Sequence, residues 1–76
     1  MFNNSIFSSR LKLLRKEHKL TLIQLGNQLN VAKQTIGHWE TALRSPSIEK
    51  ICDIADFFDV SIDYLAGRTD NPKINK

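Results

Sequence analysis

Apolar residues return along the chain at helical spacing, in five short runs separated by polar turns. In the first run Phe7, Leu11, Leu14 and His18 stand at i, i+4, i+7 and i+11. That is one face of a helix from about Ser8 to His18. Arg10, Lys12, Arg15, Lys16 and Lys19 lie largely off the stripe, and Leu13, which does not fit it, is expected half exposed. His18 reads as an ordinary helix-end residue, where a cation suits the negative end of the helix dipole. Thr21-Leu22-Ile23-Gln24 is a capping box: the threonine hydroxyl accepts from the Gln24 amide, and the Gln24 side chain reaches back. It opens a short second helix, Leu22 to about Leu29. Asn30 tolerates the left-handed conformation that ends helices, and a third helix runs from about Lys33 to Glu40. There Ile36 and Trp39 face one way, and Lys33, Gln34, Gly37 and His38 largely another.

Thr41 to Ser45 reads as a loop. Ser47 caps a fourth helix, about Ile48 to Phe58, whose inward stripe is Ile48, Ile51, Ile54, Ala55 and Phe58. Cys52, beside that stripe, reads as a small buried hydrophobe. Ser61 caps a fifth helix, Ile62 to Ala66, with Val60 and Leu65 at the two positions of a hydrophobic staple. Gly67 ends it. The pattern predicts one all-α domain of five helices over residues 1–68. Residues 69–76 are polar, contain Asn71-Pro72, and are expected to form a frayed tail or the start of a linker.

Composition narrows the function. Seventy-six residues support one small core. No run of about 18 apolar residues offers a membrane span, and Met1 to Ser9 lacks the basic-then-apolar order of a signal peptide. One cysteine and two histidines give neither a disulfide nor a zinc framework. A cytoplasmic protein without metal or cofactor is expected. The net charge of +3 hides an uneven distribution: residues 1–45 carry seven cations against two anions, residues 46–76 four against six. A basic half joined to an acidic half suggests one face built for a polyanion.

The span Thr21 to Glu40, two short helices with a tight turn, is the candidate reading unit. A duplex major groove is about 12 Å wide and admits one helix. The second helix of such a pair enters it while the first crosses the backbone. The geometry needs a residue that turns sharply, Asn30, and a small residue at the crossing, Gly26, which costs about 1 kcal/mol against alanine inside a helix. Val31 plugs the angle between the two.

These features, with several longer strings, make the chain resemble the lambdoid-phage repressor and Cro-like helix-turn-helix family, also called the Xre family. The resemblance covers about Phe7 to Arg68. It rests on Arg10-Leu11-Lys12-Leu13-Leu14-Arg15, on Leu20 to Gly26, on Asn30 to Glu40, on Pro46 with Ile54 to Phe58, and on Val60 to Arg68. It implies a compact lambda-repressor-like fold whose third helix reads duplex DNA. Position by position, Lys33, Gln34, Gly37 and His38 match the places that face base edges. Gln34 can pair with adenine and Lys33 with guanine. Gly37 either reads nothing, lets the backbone approach closely, or leaves room for a thymine methyl. Thr35, Thr41 and Arg44 match phosphate-contacting positions, and Arg10 is added from the first helix. Arg15 and Glu40 match a structural ion pair, in which losing one partner would cost about 3–5 kcal/mol if the pair is largely buried. The chain departs from the family pattern at Leu22, where a phosphate-holding glutamine is common, at Ala32, where a serine or threonine caps the third helix, and at Ala42, where a glycine follows it.

One module of this size covers one half-site, so a homodimer on a two-fold symmetric operator is expected, its half-sites about 34 Å apart. The off-stripe Phe57 and the helix-five Tyr64 are the candidate dimer contacts. The implied function is sequence-specific regulation of transcription, with repression favoured by the family. The alternative is a protein-interaction module that keeps the fold but reads no DNA; Leu22 and Ala32 lean towards it, the basic first half away from it. An enzyme is the weakest reading, because no Ser/His/Asp, Cys/His or paired-carboxylate arrangement stands out.

Overall fold

The computed structural model describes residues 2–73. Five helices follow one another: α1 (Asn4–Glu17), α2 (Leu22–Leu29), α3 (Lys33–Glu40), α4 (Ile48–Phe58) and α5 (Ile62–Ala66). There is no strand among the described residues. The expected all-α architecture is present, and four of the five helices have the bounds that periodicity and caps predict.

Each start has a local cause. Thr21 accepts from the Gln24 amide at 3.1 Å while the Gln24 carbonyl oxygen accepts from the Thr21 amide at 2.9 Å, which completes the capping box. Ser47 and Ser61 accept from the amides of Lys50 and Tyr64. Asn30 closes α2 at φ 58°, ψ 42°. Helix α1 differs from expectation by beginning four residues earlier, with Asn3 as its cap. Asn and Ser side chains at its start can compete for the backbone and disfavour a helix. Here Ser9 instead bonds back to the Ser5 carbonyl, the Ser8 hydroxyl stands 2.8 Å from the Asn4 carbonyl, and the helix runs through both.

The core draws on every helix. Phe7 and Leu11 from α1, Leu25 from α2, Ile36 from α3, Ile54 from α4 and Leu65 from α5 are fully buried. Val60 and Leu65 are both buried, as the staple requires. Leu13 is half exposed, and Cys52 is half-buried rather than buried. Ile48 does not face inward: it is 70% exposed. It occupies the first position of α4, at the edge of the stripe, and Pro46 is buried instead at that end. His18 lies at the surface, its ring edge-on to Phe58 with 4.9 Å between centroids.

The segment after Gly67 is not frayed over its described part. The Pro72 carbonyl accepts from the Ser61 amide at 2.9 Å. The Thr69 carbonyl and the Asp70 carboxylate both receive the Arg10 guanidinium. Residues 74–76 of that tail lie outside the described residues.

The angle between α2 and α3 depends on Gly26. Its carbonyl accepts from the amides of both Asn30 and Val31, so the chain reverses tightly over it. A Cβ on Gly26 would stand 2.6 Å from the Val31 carbonyl oxygen. That oxygen is backbone and cannot move without opening the turn. Gly26→Ala should therefore destabilise the fold by about 2 kcal/mol, the middle of the overpacking range, despite alanine's better helix propensity. Urea unfolding measures it, and a stability equal to or above the parent's would show that the turn yields.

Candidate nucleic-acid interface

Helix α3 is held at both ends and left bare along one side. At its N-terminal end it is fixed by the Gly26–Val31 reversal, and Val31 packs half-buried against the core. At its C-terminal end α1 supplies three polar side chains from one stripe. The Asn4 amide donates to the Ala42 carbonyl at 3.1 Å, the Ser8 hydroxyl lies 2.6 Å from the Trp39 carbonyl, and Arg15 meets Glu40. Positions 4, 8 and 15 recur at helical spacing, so a single face of α1 reads the end of α3.

The Arg15–Glu40 contact is a two-pronged pair: Nε to Oε2 at 2.6 Å and Nη2 to Oε1 at 3.1 Å. Its remaining nitrogen, Nη1, donates to the Leu20 carbonyl at 2.9 Å, which also pins the α1–α2 connection. The two side chains are 14% and 6% exposed. The hydrogen bond and charge of Glu40 raise the Arg15 pKa above its already high ordinary value, so the guanidinium stays charged.

With Ile36, Trp39 and Glu40 turned inward, 3.6 residues per turn places Gln34 opposite them and Lys33, Gly37 and His38 beside it. Lys33 and Gln34 are exposed, Gly37 and His38 partly so. Thr35 is half-buried at the flank. Ala32 provides no side-chain cap, so the first amides of α3 have no side-chain acceptor. Beyond the helix, Ala42 takes φ 62°, the left-handed conformation that explains a glycine preference there. The Leu43 and Arg44 amides donate to the His38 carbonyl at 3.0 and 3.2 Å, which moors exposed Arg44 beside the C-terminal turn.

Three of the expected contact residues stand differently from the rest. Arg10 is not free on the surface. Its guanidinium lies 4.1 Å over the Tyr64 ring centroid and donates to the carbonyls of Tyr64 and Thr69 and to Asp70. All of these come from α5 and the segment after it. That guanidinium has an internal structural use: it clasps the segment after α5 to α1. Tyr64, expected at a dimer contact, has that face of its ring covered by the same group. The Thr41 hydroxyl has the Gly37 carbonyl at 3.0 Å and the His38 carbonyl at 3.3 Å as acceptors. Its single proton is thereby engaged, and a phosphate oxygen, an acceptor only, must displace one of them. Phe57 is 37% exposed with its ring edge-on to Phe58.

Sequence reasoning missed the roles of Asn4 and Ser8 because it started α1 at about Ser8, four residues too late. It also missed Lys50, whose ammonium donates to the Leu29 carbonyl at 2.7 Å and satisfies the end of α2 from α4. Their spacing along each helix carries that signal once the helix bounds are right. Among the described residues no helix is long and apolar enough to cross a membrane.

Removing one partner of the Arg15–Glu40 pair leaves a largely buried, uncompensated charge. Glu40→Ala is expected to lower stability by about 3 kcal/mol, read from the midpoint of urea unfolding at neutral pH. A loss under about 1 kcal/mol, the range of exposed pairs, would show the pair to be screened by solvent.

Comparison with known proteins agrees with this geometry. A helix-turn-helix family model matches residues 11–65. The HTH-type transcriptional regulator YobD of Bacillus subtilis is 40% identical over 67 residues, a match covering 88% of this chain and 60% of that protein. The chain thus spans about three-fifths of that relative's length. The P22 c2 repressor, solved with a synthetic operator, superposes with a TM-score of 0.79 at 25% identity, over 84% of this chain and 97% of that one. The biofilm regulator SinR, solved with DNA, gives 0.70 at 32% identity, over 78% and 95%. From α1 into α5 sequence match and fold coincide, and the chain belongs to the helix-turn-helix family, in the lambda-repressor-like (Xre) form.

Proposed function

We propose that this chain is the DNA-reading domain of a cytoplasmic transcription regulator, not an enzyme, and that it represses by occupying its operator. The observation that carries the reading is the bare face of α3: a helix held at both ends whose outward side carries Lys33, Gln34, Gly37 and His38, with no side-chain hydrogen bond or ion pair of theirs among the described residues. The P22 c2 repressor and SinR, solved with DNA, support duplex DNA as the partner. In this reading Gln34, opposite the buried side, pairs with adenine, and Lys33 with guanine O6 or N7. The uncapped amides of α3 suit a phosphate oxygen at the helix N-terminus. Thr35 stands beside them, and Arg44 lies at the other end of α3, next to its C-terminal turn. One domain covers one half-site, so the regulator binds as a homodimer to a two-fold symmetric operator. Phe57, exposed on the acidic half away from α3's reading residues in sequence, is the candidate contact between copies.

Selection from a random duplex pool at physiological salt tests this. The chain should enrich a symmetric motif, and Gln34→Ala should relax one position in each half-site, at a cost of about 1–3 kcal/mol there. Unpatterned DNA that is released as salt rises would leave only non-specific electrostatics and favour the protein-interaction reading.

The two arginines separate by salt dependence. Arg44→Ala should reduce the slope of log affinity against log salt by about 1, the loss of one phosphate contact. Arg10→Ala should leave that slope unchanged, because its guanidinium holds the tail. Equal slopes for the parent and Arg44→Ala would take Arg44 off the phosphates.

A further inference from the structure

Gly37 is a glycine that the fold does not require. A Cβ built on it meets nothing within 4 Å, and its backbone is not in the left-handed region. This contrasts with Gly26, where a Cβ would strike the backbone. Glycine in a helix interior weakens the helix, so the position gives up stability with no packing return inside the chain.

Its neighbours make the vacancy a notch. On the wheel of α3, Lys33 stands one turn before Gly37 and Thr41 one turn after, with Gln34 and His38 on the adjoining row. The floor of the notch has no free polar group. The Gly37 carbonyl already accepts from the Thr41 amide at 3.1 Å and has the Thr41 hydroxyl at 3.0 Å. The Gly37 amide points back along the helix in the i→i−4 pattern. What remains open is the bare Cα, a small apolar surface between polar side chains. The one apolar group that base edges display in the major groove is the thymine C5-methyl.

Resting on the DNA-reading proposal above, we infer that the Gly37 notch receives a thymine methyl and that Gly37 is a specificity-determining residue of α3. The absence of a side chain is then the recognition element: any Cβ fills the space the methyl needs. It gives stability and binding opposite signs at one atom, which a merely neutral glycine does not.

The test uses the motif enriched by the parent chain. Gly37→Ala should raise Tm by about 4–8 °C, as expected for a modest gain in a domain of this size, and lower affinity for the motif about tenfold. Replacing thymines one at a time by uracil, which lacks only the methyl, should restore the variant's affinity at one position per half-site and weaken the parent's there. A raised Tm with unchanged affinity overturns the inference. So does a loss of affinity that no uracil relieves, since the notch then meets the duplex without a methyl. A parent chain that enriches no motif overturns the DNA-reading proposal itself, a result distinct from either.

Discussion

The orientation of α3 depends on the ion pair between Arg15 and Glu40. A helix of eight residues is too short to be stable alone, and this one buries only Ile36 and Trp39 fully enough to count as core. Two apolar side chains three residues apart fix which side faces inward but leave the helix able to rock along its length. The bidentate pair removes that freedom, because a guanidinium and a carboxylate meet both prongs in one relative orientation only. The same guanidinium donates to the Leu20 carbonyl, so α1, the start of α2 and the end of α3 are referred to one group. Such a pair contributes little net stability over an apolar replacement. What it supplies is a single orientation, and a reading helix needs that more than it needs stability.

The opposite end of α3 is fixed by close approach rather than by charge. The Gly26 carbonyl gathers two amides of the reversing chain, and the Val31 carbonyl passes where a Cβ would be. The two restraints are physically unlike, one electrostatic and one steric, and they act about a helix length apart. Between them the outward side of α3 has no structural duty. Lys33, Gln34, Gly37 and His38 can then differ from one regulator to another without disturbing the fold, which is what a reading surface requires.

The helices and the reversal were legible in the sequence because their causes are local. The capping box at Thr21, the serine caps, the left-handed Asn30 and the apolar spacing each lie within a few residues. The Arg15–Glu40 pair became legible only through family resemblance, since nothing in spacing joins residues 25 apart. Non-local uses of polar side chains were the blind spot. Asn4 lay before the expected start of α1 and Ser8 at it, and their partners, the carbonyls of Ala42 and Trp39, belong to a segment more than 30 residues away. Ile48 was misjudged for a similar reason. Periodicity places a residue on a face, but whether anything covers the end of that face is decided by the neighbours.

Charge illustrates the same limit and alters the electrostatic picture of the site. The basic first half of the chain contains seven cations, and the count invites one to assign them all to a polyanion. Arg15 is held by Glu40, and Arg10 lies over Tyr64 while its donors satisfy the chain after α5. Both arginines bring a planar fork to bonding partners, where a point charge would serve less well. The cations left free to attract a duplex are mostly lysines, strongly hydrated and long, together with Arg44. A surface of that kind attracts a duplex without reading it. In the function proposed above, discrimination falls to the short row on α3, where one amide side chain, one lysine, one imidazole and one vacancy face outward. The arginine clasp also means that the segment leaving α5 is tied to α1, so the exit of the chain and the orientation of α3 are both set by guanidinium groups of the same first helix.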